Sequence, residues 1–171
     1  MAEIPFLRSK KNSRNLATDY DVLREFLIKI SKIEKLLPKY IILLRPTSPL
    51  RKVEVIDDAI KVFMKLNKKY DSLISVHKMS EPVHKKYFIK KNFLKPVFSN
   101  LTNDQTNNPS QIFPDSFTAN GYLDIIKTSN IINKKSYLGN KSYPFITNRT
   151  IDIDHLIDLK IANYLAKQRF F

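Results

Sequence analysis

Cysteine is absent from this 171-residue chain, and glycine occurs only at Gly121 and Gly139. Without cysteine there is no disulfide framework, no thiolate zinc site and no cysteine nucleophile. The three histidines, His77, His84 and His155, do not make a His-only metal centre. A phosphate-cradling loop needs several glycines in a short span, because only they let backbone N–H groups close on phosphate. Two isolated glycines exclude such a loop. Long apolar runs are missing too. The most apolar stretch, Tyr40 to Leu44, is far short of a membrane span. The opening MAEIPFLRSKK has no apolar h-region and no small-residue cleavage site. A cytoplasmic location is therefore expected, with no membrane partner. Negative charge is scarce as well: 16 Asp and Glu stand against 30 Lys and Arg, for a net charge of +14.

What is present supports a folded core. Hydrophobic residues make up 43% of the chain, which excludes disorder throughout, and the length fits a single domain over 1–171. The positive charge is spread along the chain in lysine pairs such as Lys10-Lys11, Lys68-Lys69 and Lys134-Lys135. No nucleic-acid module signature accompanies them, so a solvated basic surface or an anionic small substrate is favoured over nucleic acid.

Apolar residues recur at helical spacing from Val22 to Leu37, after Asp19 or Asp21 as a cap and before Pro38 as a stop. Tyr40 to Leu44, bounded by Pro38 and Pro46, reads as a buried strand. A second amphipathic helix carries Val55, Ile56, Ala59, Ile60, Phe63 and Leu66 on one face, and Ser72 to Val76 reads as another strand. Strand, helix, strand at this spacing predicts a βαβ unit in a parallel sheet. From His84 to Ser99 aromatics alternate with lysines around a turn at Asn92, which predicts a hairpin leaving the main sheet. Residues 100–115 form a long polar loop of the kind that is functional or disordered. Tyr122 to Ile126 resumes a strand, and Asp154 to Lys167 is helical.

Two segments carry chemistry. Arg45-Pro46-Thr47-Ser48-Pro49-Leu50-Arg51 lies where a buried strand ends, the place where open α/β sheets bind ligands. Its hydroxyls and its two arginines suit phosphate or carboxylate; spacing alone favours a proline-bounded turn that caps a helix through Ser48. Asp152 and Asp154, one residue apart in an extended segment, share a face and suit one divalent cation. The alternative makes Asp154 only a helix N-cap. Asn120-Gly121 reads as a turn.

The order of these pieces resembles the acylneuraminate cytidylyltransferase family, which includes the CMP-sialic, CMP-legionaminic and CMP-pseudaminic acid synthetases. The resemblance rests on IPFLR…LATDYDV, IILLRPTSPLR, DSLISV…EPVHK, PSQIFPDSFTANGYLDI and TIDIDHLIDLKIA, in that order, over nearly the whole chain. It implies a Rossmann-like nucleotidyltransferase (GT-A-like) α/β fold with a mostly parallel sheet. Residues 84–118 would make a protruding β-hairpin element for a homodimer. The substrates would be CTP and an acidic nine-carbon sugar, with Mg2+ on Asp152 and Asp154 as the catalytic carboxylates. Arg45, Thr47, Ser48, Gln111 and Asn120 would meet the sugar, Lys85 would reach the partner's site, and Arg8 and Asp19 would lie on the nucleotide side. Family members open with a strand and a loop like ARxGSKGxxxKN that this chain does not contain. The resemblance therefore implies an N-terminally truncated enzyme, starting about 70 residues in. The family's Gln before the Pro-Thr-Ser-Pro loop is here Arg45, and an Arg often found before Gln111 is here Ser110. Two other classes stay open on the residues: a non-catalytic sugar- or partner-binding remnant, and a basic nucleic-acid-binding protein.

Overall fold

The computed structural model describes residues 4–168. Helix α1 (Asp19–Glu34) begins at Thr18. The Thr18 hydroxyl accepts from the Asp21 N–H at 3.2 Å, and the Asp21 carboxylate accepts from the Thr18 N–H at 3.3 Å. This is a capping box with Asp in place of Glu. It corrects the expectation that Asp19 or Asp21 is the cap, since only Thr18 stands ahead of the N–H that needs an acceptor. Leu23, Leu27 and Ile30 face inward. Leu36, expected in the same stripe, is exposed because the helix ends at Glu34, with Lys35 at φ 55, and Ile33 in the last turn is exposed too.

Strand β1 (Tyr40–Leu43), helix α2 (Val53–Leu66) and strand β2 (Ser72–Lys78) form the expected unit. The two strands run the same way but are not neighbours. Strand β5 (Phe117–Lys127) lies between them, antiparallel to both, and β6 (Ser142–Ile146) pairs parallel with β2. The order is β1-β5-β2-β6, so the sheet is mixed, with three of its four strands in one direction. The cause is local. After β2 the chain makes its excursion at one end of the sheet and returns there, placing Phe117 opposite Lys78, so β5 must run back.

Both faces of the sheet are covered. On one, Ala59 and Phe63 of α2 pack on Leu73, Leu123 and Ile125. On the other, Leu23 and Leu27 of α1 pack on Ile126 and on Ile131 of helix α4 (Thr128–Ile132). Burying a Phe such as Phe63 is worth about 3 kcal/mol.

The excursion carries strands β3 (Tyr87–Lys90) and β4 (Phe93–Pro96), a separate two-stranded antiparallel sheet. Lys91 (φ 48) and Asn92 (φ 64) make its left-handed two-residue turn, which matches strand twist and bears out the turn at Asn92. The polar loop after it is ordered by a short helix α3 (Asn103–Thr106), capped by Thr102, and by a turn at Ser110–Ile112. The His84 ring stacks between Phe98 and Phe113, with centroids 4.3 and 5.3 Å away. Helix α5 (Leu156–Lys167) has His155, not Asp154, at its N-cap, and the Asp158 carboxylate accepts the His155 N–H at 2.8 Å. No helix among the described residues is long and apolar enough to cross a membrane.

Candidate functional site

The residue pairing of β2 with β5 breaks where the site begins. Ile74 faces Asp124, but Val76 faces Ala119, so β5 takes five steps against two and carries three extra residues. Gly121, at φ +66, makes this bulge possible. The orphaned backbone groups are met by side chains. Leu123 N–H donates to the Ser75 hydroxyl at 3.0 Å, and Tyr122 N–H donates to the Asn120 side-chain oxygen at 3.2 Å. Bulges of this kind re-aim side chains next to functional clefts.

The loop after β1 wedges against the bulge. A Cβ on Gly121 would lie 3.0 Å from Arg45 Cδ and 3.1 Å from Ser48 Oγ, so no other residue admits the loop this closely. The Arg51 guanidinium donates to the carbonyls of Arg45, Gly121 and Tyr122, at 2.5, 3.1 and 2.5 Å. Burial pulls its pKa down from the usual arginine value. The loop also holds the chain after β6: Ile153 N–H donates to Thr47 O at 2.8 Å, and Ser48 Oγ lies 3.3 Å from Asp152 Oδ1.

These contacts border a groove of about 420 Å³ at the carboxyl ends of β2 and β6, the position that open α/β sheets reserve for ligands. His77, Lys78, Lys86, Asn120, Arg149 and Asp152 are in its walls, with Glu81 and Asp158. A larger, more open depression of about 560 Å³ is lined only by the local segment Lys11–Asp21. The groove at the strand ends gathers side chains from several separate segments, and is the candidate site.

The structure brings some of the expected residues together and separates others. Asn120 and Asp152 line the groove, and Ser48 is buried beneath it. Asn120 spends both ends of its amide internally, accepting from Tyr122 N–H and donating to Thr147 Oγ1 at 2.7 Å. Asp154 is exposed and outside the groove wall, its N–H donating to Asp158 at 3.2 Å. Lys85 is turned to the Asn108 carbonyl at 2.7 Å, while its neighbour Lys86 lines the groove. Gln111 and Arg8 are exposed and away from it.

Arg45 and Asp19 meet elsewhere. Arg45 Nη2 lies 2.6 Å from Asp19 Oδ2 and 3.4 Å from Asp124 Oδ2, and the Tyr137 hydroxyl donates to that same Asp124 oxygen at 2.8 Å. Burial drives the Asp124 pKa above the usual carboxylate value, and the hydrogen bond from Tyr137 and the charge of Arg45 only partly offset it. Burial and the adjacent Asp124 carboxylate push the Tyr137 pKa well above a normal phenol's. The Asp19 hydrogen bond raises that of Arg45, keeping it charged.

His77, Lys78, Lys86 and Arg149 were not singled out by pattern. The alternation along β2 places His77 and Lys78 at the strand's carboxyl end, and that position was the one available signal. For a cation the groove offers the hard carboxylate oxygens of Asp152 and Asp158, and no cluster of three ligating side chains exists among the described residues. That donor set fits Mg2+, which takes one or two carboxylates and completes its shell from water and substrate phosphate.

No protein-family model matches the chain. The CMP-N,N'-diacetyllegionaminic acid synthase of Legionella pneumophila is 30% identical to it over 178 residues, covering 97% of this chain and 70% of the relative. The chain belongs to the acylneuraminate cytidylyltransferase family. In this chain the DID segment and the Pro-Thr-Ser-Pro loop are the two sides of one contact, through Thr47–Ile153 and Ser48–Asp152.

Proposed function

We propose that the groove is the acceptor and metal side of a CMP-nonulosonic acid synthetase. The reaction is transfer of CMP from CTP to an acidic nine-carbon sugar. The sugar's anomeric oxygen attacks the α-phosphorus, the bond to the β-phosphate oxygen breaks, and pyrophosphate leaves while the proton of the attacking hydroxyl passes to solvent. Asp152, with Asp158 beside it in the groove wall and Asp154 two residues on in the chain, would hold Mg2+, which would supply neutralisation of phosphate charge and alignment of the attacking and leaving oxygens. Lys78, Lys86 and Arg149 bind the anionic groups that the two substrates bring. The observation that carries this reading is one groove lined by the carboxylates of Asp152, Asp158 and Glu81 and by the cations of Lys78, Lys86 and Arg149, in a chain aligned along 97% of its length with a CMP-sugar synthase.

The assembly is a homodimer through residues 84–118, where Phe88, Ile89, Phe93 and Leu94 are all exposed on the small sheet. A GT-A-like frame and a cytoplasmic setting complete the proposal. The test is pyrophosphate release from CTP and Mg2+ with a panel of nonulosonic acids. It uses the chain supplemented with the part of the Legionella relative that the alignment leaves uncovered. Release that depends on the sugar and disappears in Asp152→Asn is the expected result. Release that survives Asp152→Asn refutes the metal assignment.

A further inference from the structure

Ser48 is fully buried, yet it ends in a hydroxyl. Its Oγ has two acceptors in reach, Asp152 Oδ1 at 3.3 Å and the Asn120 carbonyl at 3.5 Å. One proton cannot serve both, and an ionised carboxylate is the stronger acceptor. Asp152 is itself exposed, and among the described residues Ser48 is its carboxylate's one hydrogen-bond partner. An exposed aspartate left alone rotates freely about its last bond. Here one oxygen is tied inward, and Oδ2 has no hydrogen-bond partner among the described residues. The backbone beside it is fixed by the Ile153–Thr47 hydrogen bond, and the serine is fully buried in the room that Gly121, without a Cβ, leaves for its hydroxyl.

We infer that Ser48 is a positioning residue for the Asp152 carboxylate: it does not touch sugar, but fixes the direction in which Asp152 presents its free oxygen to a divalent cation. The inference rests on the reading of Asp152 as a cation ligand. It reassigns the serine of the Pro-Thr-Ser-Pro loop from the sugar pocket to the support of the metal side. Outer-shell hydrogen bonds of this sort change metal affinity by about 10- to 100-fold.

The experiment is Mn2+ binding, read by the loss of the free-ion electron paramagnetic resonance signal, with and without pyrophosphate. It compares wild type, Ser48→Ala, Ser48→Cys and Asp152→Asn, each at a temperature well below its own melting point. The expected result is loss of the site in Asp152→Asn, about 10-fold weaker binding in Ser48→Ala, and an intermediate value in Ser48→Cys, which keeps the volume and donates weakly. If Asp152→Asn abolishes binding while Ser48→Ala binds like wild type, the positioning role is wrong and the metal reading stands. If the wild type shows no Asp152-dependent binding, both fall. Should Ser48→Ala not fold, Ser48→Cys decides: wild-type affinity in it overturns the inference, and weakened affinity supports it.

Discussion

Replacing Gly121 by alanine tests the loop-into-bulge packing directly. Two costs add. An L-residue at φ +66 is strained by about 1 kcal/mol or a little more. The new methyl would sit 3.0 Å from Arg45 Cδ and 3.1 Å from Ser48 Oγ. Neither neighbour yields easily, because Arg45 is held by two carboxylates and Ser48 is fully buried. Overpacking of this size costs about 1–3 kcal/mol. The stiffer unfolded chain returns about half a kcal/mol. The expected loss is about 2–3 kcal/mol, or about 5–10 °C in melting temperature for a domain of this length. Urea denaturation measures it. A double-mutant cycle with Ser48→Ala identifies the cause, since removing the hydroxyl relieves the closest polar approach. The double variant should be at least about 0.5 kcal/mol more stable than the sum of the single effects. A Gly121→Ala protein within 0.5 kcal/mol of wild type, or an additive cycle, would show that the loop does not lean on the bulge.

Arg45→Gln leaves Asp124 buried beside only a tyrosine. It should cost about 2 kcal/mol at pH 7. The Asp124 pKa is already raised by burial and losing Arg45 raises it further, so the folded state favours its proton and the penalty should shrink as pH falls from neutral toward the usual 3.8; a pH-independent cost refutes the ion-pair account. Asp71 is the opposite case. The Lys134 ammonium at 2.7 Å and the N–H groups of Asn140 and Lys141 hold its pKa at about 2, below the usual 3.8. The difference amounts to about 2 kcal/mol before solvent screening and about 1 after it. Asp71→Asn should therefore lose about 1 kcal/mol at neutral pH, and the gap to wild type should close as pH drops from 3.8 through about 2, followed by thermal melts across that range. Phe88→Asp with Phe93→Asp should convert a dimer to monomers in analytical ultracentrifugation without lowering the melting temperature measured at low concentration. An unchanged sedimentation coefficient in the variant argues against the hairpin as the contact.

The helices and first two strands were legible because their signal is local. Leu23, Leu27 and Ile30 recur at helical spacing, and Tyr40 to Leu43 is bounded by prolines. The hairpin turn was legible for the same reason, since Lys91-Asn92 must adopt left-handed backbone. Strand β6 escaped because Pro144 stands at its centre, where a proline argues against a strand, and none of its five residues is buried. The antiparallel run of β5 could not be read from its own residues. It follows from the end of the sheet at which the excursion returns. Asn120-Gly121 looked like a turn and is a bulge, the same backbone need met inside a strand. At the site, Asp152 was found from its spacing and Ser48 from its loop. Asp124 carries no signal in the sequence, because burial, not residue type, gives it its place beside Arg45 and Tyr137. Lys85 and Lys86 are equivalent in sequence, and only the turn at Val83–Lys85 decides which of them faces the groove.

The insertion of β5 between β1 and β2 also has a consequence in time. Neither early strand can pair with the other, so each waits for a partner that ends at Lys127, 49 residues beyond the end of β2 (127 minus 78). At ribosomal rates of about 5–20 residues per second, that wait lasts about 2–10 seconds. Throughout it, β1, α2 and β2 exist without the strand that joins them, their apolar faces and strand edges open to other chains. For this fold, a pause in translation that leaves β2 outside the ribosome and β5 still within it lengthens the exposed interval.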